Sequence, residues 1–202
     1  MRRVVIVCVA ALALVQVSAS AQQPGPVRIL VTYYSETGNT EKLAQAIGAG
    51  AKTVQGVEVT LQKMADVKDA AIATFDGVIV GTPVHWANVS TESRRFLDRL
   101  GAGLAATKVW GEGRTAGVFC TGGGVSSGKE MARLAMISSL MEMRFVVIGG
   151  VDADGFGTLG PQATTGSADP GVSDKELDEG RKFGERFARF TQQFVRAGVA
   201  RK

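Results

Sequence analysis

Short polar side chains crowd the segment Ser35-Glu-Thr-Gly-Asn-Thr40, which follows an apolar run and precedes a helix-like pattern. A helix cap needs one hydroxyl or amide side chain, whereas this segment has four in six positions. Gly38 allows a tight turn, and a helix starting near Asn39 would direct its free N–H groups and positive dipole end at the loop. This combination binds a phosphate group without a cationic side chain. The predicted phosphate ligands are Ser35, Glu36, Thr37, Gly38, Asn39 and Thr40.

The same residues exclude two better-known phosphate loops. The segment lacks the Gly-Lys-Ser/Thr of a Walker A loop and the G-x-G-x-x-G of a dinucleotide-binding turn. An ordinary N-capped helix remains the simpler alternative, because Ser, Thr and Asn are favoured at helix caps in any case.

Two further polar segments, 82–88 and 121–128, each follow an apolar run. The first contains the only histidine, His85, a residue type that transfers protons near neutral pH, and Trp86, whose flat side chain suits an aromatic ring. The glycines of the second allow a planar ligand to approach backbone N–H groups. The alternatives are that Trp86 packs under its loop and that His85 is incidental. Predicted ligand contacts are Pro83, Val84, His85, Trp86, Asn88, Thr121, Gly122, Gly123 and Gly124, with His85 as the candidate catalytic residue.

Strand-like and helix-like segments alternate five times along the chain, which predicts an α/β fold with a parallel sheet covered on both faces. Ligands of such sheets bind outside the carboxyl ends of the strands, where the strand order reverses. The three polar segments fall at such ends. Residues 149–172 are predicted to form a long loop, and a capping box at Ser173–Glu176 predicts the start of the last helix. The predicted strands are 27–33, 57–63, 75–81, 115–120 and 145–148.

The first 21 residues have the order of a secretory signal peptide: two arginines, an apolar run over 4–15, and an A-x-A motif ending at residue 21. Spanning a bilayer as a helix takes about 20 apolar residues, so no stable membrane anchor is expected. We therefore predict one mature domain, 22–202, exported to the periplasm. A cytoplasmic location follows only if the start site is misassigned and translation begins near Val27.

Composition excludes several classes of protein. Without Arg2 and Arg3, 21 of the 23 basic residues remain against 19 acidic ones, with no block of like charge, so no nucleic-acid partner is expected. Cys120 is the only cysteine after residue 21, so no internal disulfide can form, and we expect a small buried residue. The sequence contains no metal-ligand cluster, Ser-His-Asp set or paired-carboxylate site.

Taken together, these motifs resemble the flavodoxin superfamily. Ser35–Thr40 is similar to the FMN-phosphate fingerprint T/S-x-T-G-x-T. Gly81-Thr-Pro-Val-His-Trp-Ala-Asn-Val-Ser90, with Phe96-Leu-Asp98, resembles the G-T-P-x-R-F-G-N-M-S…F-L-D segment of the WrbA-type NAD(P)H:quinone oxidoreductases. Thr121–Gly124 and Gly160–Thr165 are similar to later loops of that family. The resemblance covers nearly all of the mature chain. It implies a flavodoxin-like three-layer sandwich with a five-stranded parallel sheet in the order 2-1-3-4-5.

The resemblance also implies a function. FMN would bind non-covalently, with its phosphate on residues 35–40 and its ring bordered by 84–86 and 121–125. In the family, NAD(P)H gives a hydride to the flavin, which reduces a quinone or other small acceptor by two electrons. A homo-oligomer is also compatible with the resemblance. Two alternatives stay open: a flavodoxin-like electron-transfer protein that serves a redox protein partner, and a domain that has kept the fold and lost the flavin.

The sequence departs from the WrbA-type pattern at identifiable positions. His85-Trp86 replaces the family's Arg-Phe, and Thr37 replaces its aromatic residue in the phosphate loop. The family's histidine after the fourth helix falls near Glu142 or Met143, neither of which can replace it. The segment between the second and third strands is also shorter. These differences affect nicotinamide and quinone binding more than FMN binding.

Overall fold

The structure is a computed structural model that describes residues 25–151, 159–166 and 171–198. The predicted signal peptide, 1–21, lies outside these residues. Within the described ranges, no helix combines the length and the apolar character that a membrane crossing requires. In chain order the elements are β1 (Val27–Tyr33), α1 (Asn39–Lys52), β2 (Val57–Lys63), a 3-10 turn (Met64–Asp66), α2 (Asp69–Ile72), β3 (Gly77–His85), β4 (Asn88–Val89), α3 (Thr91–Thr107), β5 (Thr115–Gly122), α4 (Lys129–Glu142), β6 (Val146–Val147), β7 (Gln162–Thr164) and α5 (Asp174–Arg196).

The main strands form one parallel sheet in the order β2-β1-β3-β5-β6. Because β4 is a short antiparallel partner of β3 at the end of a hairpin, this order corresponds to the predicted 2-1-3-4-5. The predicted α/β class and strand order are confirmed. β1 is central and β2 lies at one edge, which agrees with the continuous apolar run of the first and the alternating pattern of the second.

The fifth strand position is divided between two short strands. β6 pairs with Thr115 and Ala116 at the start of β5, and β7 pairs with Cys120–Gly122 at its end. The predicted strand over 145–148 is present as β6, whereas the predicted long loop over 149–172 contains a further strand, β7, which was not predicted. β6 cannot continue past Gly150, because the φ of 75° at this residue lies outside the extended region that a strand requires.

The sheet is covered on both faces, as predicted. In β1, Ile29 and Val31 belong to the core beneath α1 and α5, whereas Leu30 belongs to the core beneath α3 and α4. This alternation is the period of two that a strand imposes on its side chains.

The last helix packs through two of its four phenylalanines. The capping box at Ser173 and Glu176 is present, as predicted. Phe183 and Phe187 are fully buried against Gly77 and Gly117, where an added Cβ would lie 2.9 Å from a phenylalanine ring atom. Phe190 does not share this core, since 45% of its surface is exposed.

Candidate functional site

The three polar segments of the sequence meet at one end of the sheet. β1, β3 and β5 are adjacent parallel strands, so the loops that follow them leave the same edge side by side. This is the edge at which open α/β sheets bind ligands, because the strand order reverses there. The prediction that these loops lie together is confirmed.

The loop after β1 surrounds the start of α1 with polar groups. Gly38 is the N-cap residue with a φ of 89°, in the left-handed region that glycine adopts without strain, and it has no side chain with which to cap the helix. The Ser35 hydroxyl accepts a hydrogen bond from the Glu41 N–H at 3.2 Å, and the Asn39 amide donates to the Thr37 hydroxyl at 2.9 Å. The N-terminus of α1 therefore faces the loop, so its free backbone N–H groups are directed at the place where an anion would bind.

Each pair of loops is joined by a direct contact. The buried hydroxyls of Thr40 and Thr121 are hydrogen-bonded at 2.8 Å, which joins the first loop to the third. His85 Nε2 lies 3.5 Å from the Glu36 carboxylate, which joins the first to the second. Gly128 packs directly against Ala87, since an added Cβ would lie only 2.3 Å from the Ala87 Cα. The three loops therefore form one structural unit.

A cleft of about 110 Å³ lies between the loops. Small-molecule sites usually enclose about 300–1,000 Å³, so the cleft holds only part of a nucleotide-sized ligand and the rest must lie along its open rim. Most of the predicted residues line it, and one residue that was not among them, Thr165, does so as well. The lining residues are Glu36, Thr37, Asn39, Thr40, Pro83, Val84, His85, Thr121, Gly122, Gly123 and Thr165.

Five predicted site residues lie outside the lining. Ser35 lines a separate pocket of about 380 Å³ beside α3, and Gly38 shapes the turn. Gly124 receives a hydrogen bond from Ser127, and the Asn88 side chain accepts one from the Val89 N–H. Trp86, the fifth, projects into solvent.

Trp86 sits at the tip of the β3–β4 hairpin. Its side chain is fully exposed, which excludes the alternative that it packs under its loop. Trp86 and Ala87 have φ values of 51° and 61°, a conformation that costs a non-glycine residue about 1 kcal/mol or more. The hairpin thus presents an aromatic surface at the rim of the cleft at a cost in backbone strain.

His85 is held between two side chains. Besides Glu36, it contacts Tyr34, whose ring meets the imidazole edge to face with centroids 6.4 Å apart. Burial raises the pKa of Tyr34, and the nearby carboxylates of Glu92 and Glu36 raise it further. Tyr34 therefore stays uncharged at neutral pH and serves as a neutral wall behind the histidine.

Two residues near the cleft were not among the predicted site residues, although one of them, Thr165, belongs to the segment Gly160–Thr165 that resembles a later loop of the WrbA-type family. Thr165 reaches it because β7 pairs with the end of β5, and its N–H donates to the Gly122 carbonyl at 2.9 Å. Lys129, the first residue of α4, is 1% exposed and donates to the Thr164 hydroxyl. Burial of a lysine depends on tertiary packing, so no local sequence pattern predicts it.

Other chemistries find no support among the described residues. Within 25–151, 159–166 and 171–198, no group of His, Cys, Asp and Glu side chains is arranged to hold a metal ion. Cys120 is buried, as expected, and burial raises the pKa of its thiol to about 12, so the thiol stays protonated and inert.

The cleft residues fit flavin mononucleotide. A helix N-terminus with surrounding hydroxyls suits the phosphate, and the glycine wall at 122–123 admits a planar ring close to the backbone. The fold and this cleft define an α/β protein with a nucleotide site at the carboxyl ends of its central strands.

Comparisons with known proteins agree with that class. A flavodoxin domain model matches residues 30–107. A flavodoxin of Aquifex aeolicus (strain VF5) is 31% identical over 170 residues, covering 83% of this chain and 89% of that protein. A flavodoxin of Clostridium saccharobutylicum is 29% identical over 167 residues, covering 82% and 98%. The crystal structure of a WrbA-like flavodoxin from Agrobacterium tumefaciens has the same fold, with a TM-score of 0.66 at 20% identity over 83% of this chain and 99% of that one.

The chain belongs to the flavodoxin family. Members of this family bind FMN and transfer electrons to redox partners, and the chain is a flavodoxin-like flavoprotein.

Proposed function

We propose that the chain binds FMN between residues 35–40, 83–88 and 121–124 and transfers electrons from NAD(P)H to a quinone-type acceptor. FMN, when bound, supplies the redox chemistry by accepting a hydride and passing two electrons on. Thr37, Asn39 and the N-terminus of α1 would hold the phosphate. The glycines at 122–123 and the exposed Trp86 would border the ring.

The observation that carries the proposal is the pair formed by His85 and Glu36 in the wall of the cleft. Reduction of a quinone to a hydroquinone takes two electrons and two protons, so a reductase benefits from a proton-transfer group beside the flavin. The His85 side chain is 36% exposed, so water reaches it, and its Nε2 lies 3.5 Å from the Glu36 carboxylate. Histidine is the side chain best suited to proton transfer near neutral pH. A protein that only carries electrons to another protein has no need of such a pair.

The second candidate is a flavodoxin-type electron carrier that serves a redox protein partner. It is supported by the two relatives described above, which are both named flavodoxin. In this case the exposed Trp86 and the rim of the cleft would contact the partner, and neither NAD(P)H nor a quinone would react at an appreciable rate.

Titration of the purified mature chain with FMN tests the shared part of both candidates. We expect saturable quenching of flavin fluorescence with one FMN per chain. Absence of quenching would refute FMN binding and both candidates with it. Bleaching of the bound flavin by NADH or NADPH without oxygen, followed by reoxidation with benzoquinone, would support the reductase over the carrier.

Replacement of His85 tests the proton-transfer role. We expect His85→Gln to lower the rate of benzoquinone reduction by about a hundredfold, since general acid catalysis contributes at least that much. FMN affinity should change little, because glutamine keeps a polar side chain of similar reach in the cleft wall. An unchanged rate would leave His85 without a catalytic role.

We also propose that the working protein is the exported domain 22–202. The support is the basic, apolar and A-x-A order of residues 1–21. Mass spectrometry of the protein from the periplasmic fraction should give a chain that begins at Gln22. A full-length chain confined to the cytoplasm would refute export, and a chain starting near Val27 would indicate a misassigned start.

A further inference from the structure

We infer that the buried Lys129 ammonium raises the reduction potential of FMN bound in the cleft. The inference rests on the proposed FMN site and assigns a fixed positive charge to the wall behind it. A flavin held at a higher potential is a better acceptor of a hydride and a poorer low-potential electron carrier. The charge therefore bears on the choice between the two candidate functions.

Lys129 is placed where a lysine is ordinarily disfavoured. Its side chain is 1% exposed, although lysine is almost never fully buried unless it is paired. It is also the first residue of α4, where the helix macrodipole is positive and repels a cation. Packing alone does not require a charge here.

Polar groups surround the Lys129 ammonium. The ammonium donates a hydrogen bond to the Thr164 hydroxyl, and the Thr164 N–H in turn donates to the Glu176 carboxylate at 2.6 Å. Glu176 also accepts from the N–H and hydroxyl of Ser173 at 2.8 and 2.7 Å. The chain thus supports a buried cation through one hydroxyl and a nearby carboxylate.

The Lys129 side chain packs against a residue of the cleft wall. A Cβ added to Gly122 would lie 3.1 Å from the Lys129 Cγ, so the lysine stem passes directly behind this cleft-lining residue. Thr164, which holds the ammonium, precedes Thr165, another lining residue. Lys129 does not enter the cleft, so it is a positioning charge and not a catalytic residue.

The electrostatic consequence follows from the charge balance of the flavin. Oxidised FMN takes up two electrons and one proton to give a reduced ring with one additional negative charge. A positive charge behind the cleft wall, shielded from water, stabilises that anion more than the neutral oxidised ring. The carboxylate of Glu176 opposes this effect from a position behind Thr164.

Four variants of the mature protein loaded with FMN test the inference by spectroelectrochemical titration. We expect Lys129→Gln to lower the midpoint potential by about 30 mV or more, which corresponds to a tenfold loss in the preference for reduced over oxidised FMN. Lys129→Arg keeps the charge and should keep the potential. Glu176→Gln removes the opposing charge while preserving the capping box, so it should raise the potential. Lys175→Gln removes an exposed charge from the same helix and should have little effect, because water screens it.

The outcomes separate this inference from the proposed function. If the unmodified protein does not bind FMN, the proposed function fails first. If FMN binds and the potential of Lys129→Gln equals that of the unmodified protein, the inference is overturned. Should Lys129→Gln fail to fold, as judged by circular dichroism, Glu176→Gln decides: a raised potential supports the inference, and an unchanged or lowered one refutes it.

Discussion

The hydroxyls of Thr40 and Thr121 are hydrogen-bonded at 2.8 Å and are both buried, although 81 positions separate them in the chain. The bond joins the first turn of α1 to the end of β5, and so it fixes the phosphate loop against the glycine wall. Because both residues line the cleft, the bond contributes to stability and to the shape of the site at once.

Removal of this bond should affect both properties. Thr121→Val leaves the Thr40 hydroxyl buried without that partner, so we expect the free energy of unfolding to fall by about 1–3 kcal/mol and FMN affinity to fall with it. Urea unfolding and fluorescence titration measure the two effects.

Thr115→Val is the matched control. Thr115 bonds to the Thr191 hydroxyl at 2.6 Å at the opposite end of β5, and Thr191 keeps a second bond to the Phe187 carbonyl. This variant should lose about 1 kcal/mol and bind FMN normally. An equal loss of FMN affinity in both variants would contradict a local role for the Thr40–Thr121 bond.

Thr37→Asp tests where the phosphate binds. A carboxylate at this position would face the phosphate across the start of α1, so we expect FMN binding to be abolished in the fluorescence titration. Thr74→Asp introduces the same charge at an exposed position before β3, away from the cleft, and should bind normally. Unchanged affinity of Thr37→Asp would show that the phosphate lies elsewhere.

Local patterns in the sequence were sufficient for most of the fold. Continuous apolar runs predicted β1, β3 and β5, and the capping box predicted the start of α5, because each signal depends on neighbouring residues. β7 was missed because Gln162–Thr164 is only three residues long and becomes a strand through pairing with residues of β5 that are 42 positions away in the chain (Gln162 with Cys120).

The same distinction applies to the candidate site. The cleft residues of the three loops follow strands directly and were predictable from the rule that ligands bind at the carboxyl ends of the strands. Thr165 and Lys129 depend on how β7 and α4 pack against β5, which no short segment encodes. The exposure of Trp86 depends on two positive φ values that are uncommon for tryptophan and alanine.

The contact between Gly128 and Ala87 predicts a second way to disrupt the site. Gly128→Ala would combine a φ of 82° with a Cβ only 2.3 Å from the Ala87 Cα, so the hairpin must move away. We expect the Kd for FMN to rise at least about tenfold, equivalent to about 1.4 kcal/mol.

Gly56→Ala provides the comparison for this variant. Its φ of 80° gives the same backbone strain, but the nearest atom is the end of the flexible Gln192 side chain at 3.2 Å. It should be destabilised by about 1–2 kcal/mol and bind FMN with normal affinity. If Gly128→Ala bound FMN as well as Gly56→Ala does, the hairpin would have no part in the site.

The carboxylate of Glu176 predicts a pH dependence of stability. Although burial alone would raise the pKa of Glu176, hydrogen bonds from Ser173 and from the Thr164 and Ser173 N–H groups, with the charge of Lys129, lower it below the usual 4.5. A carboxyl whose folded pKa is depressed stabilises the protein fully above its unfolded pKa, and this stabilisation is lost as the pH falls through the folded value.

The stability of the unmodified protein should therefore decline from about pH 5 downward, and the stability of Glu176→Gln should decline less steeply, as measured by urea unfolding at several pH values. Glu179→Gln is on the same helix, and the Glu179 side chain has no hydrogen bond or ion pair with any residue that the structure describes, so this variant should follow the unmodified protein. Parallel curves for all three proteins would show that the carboxylate does not stabilise the junction of β7 and α5.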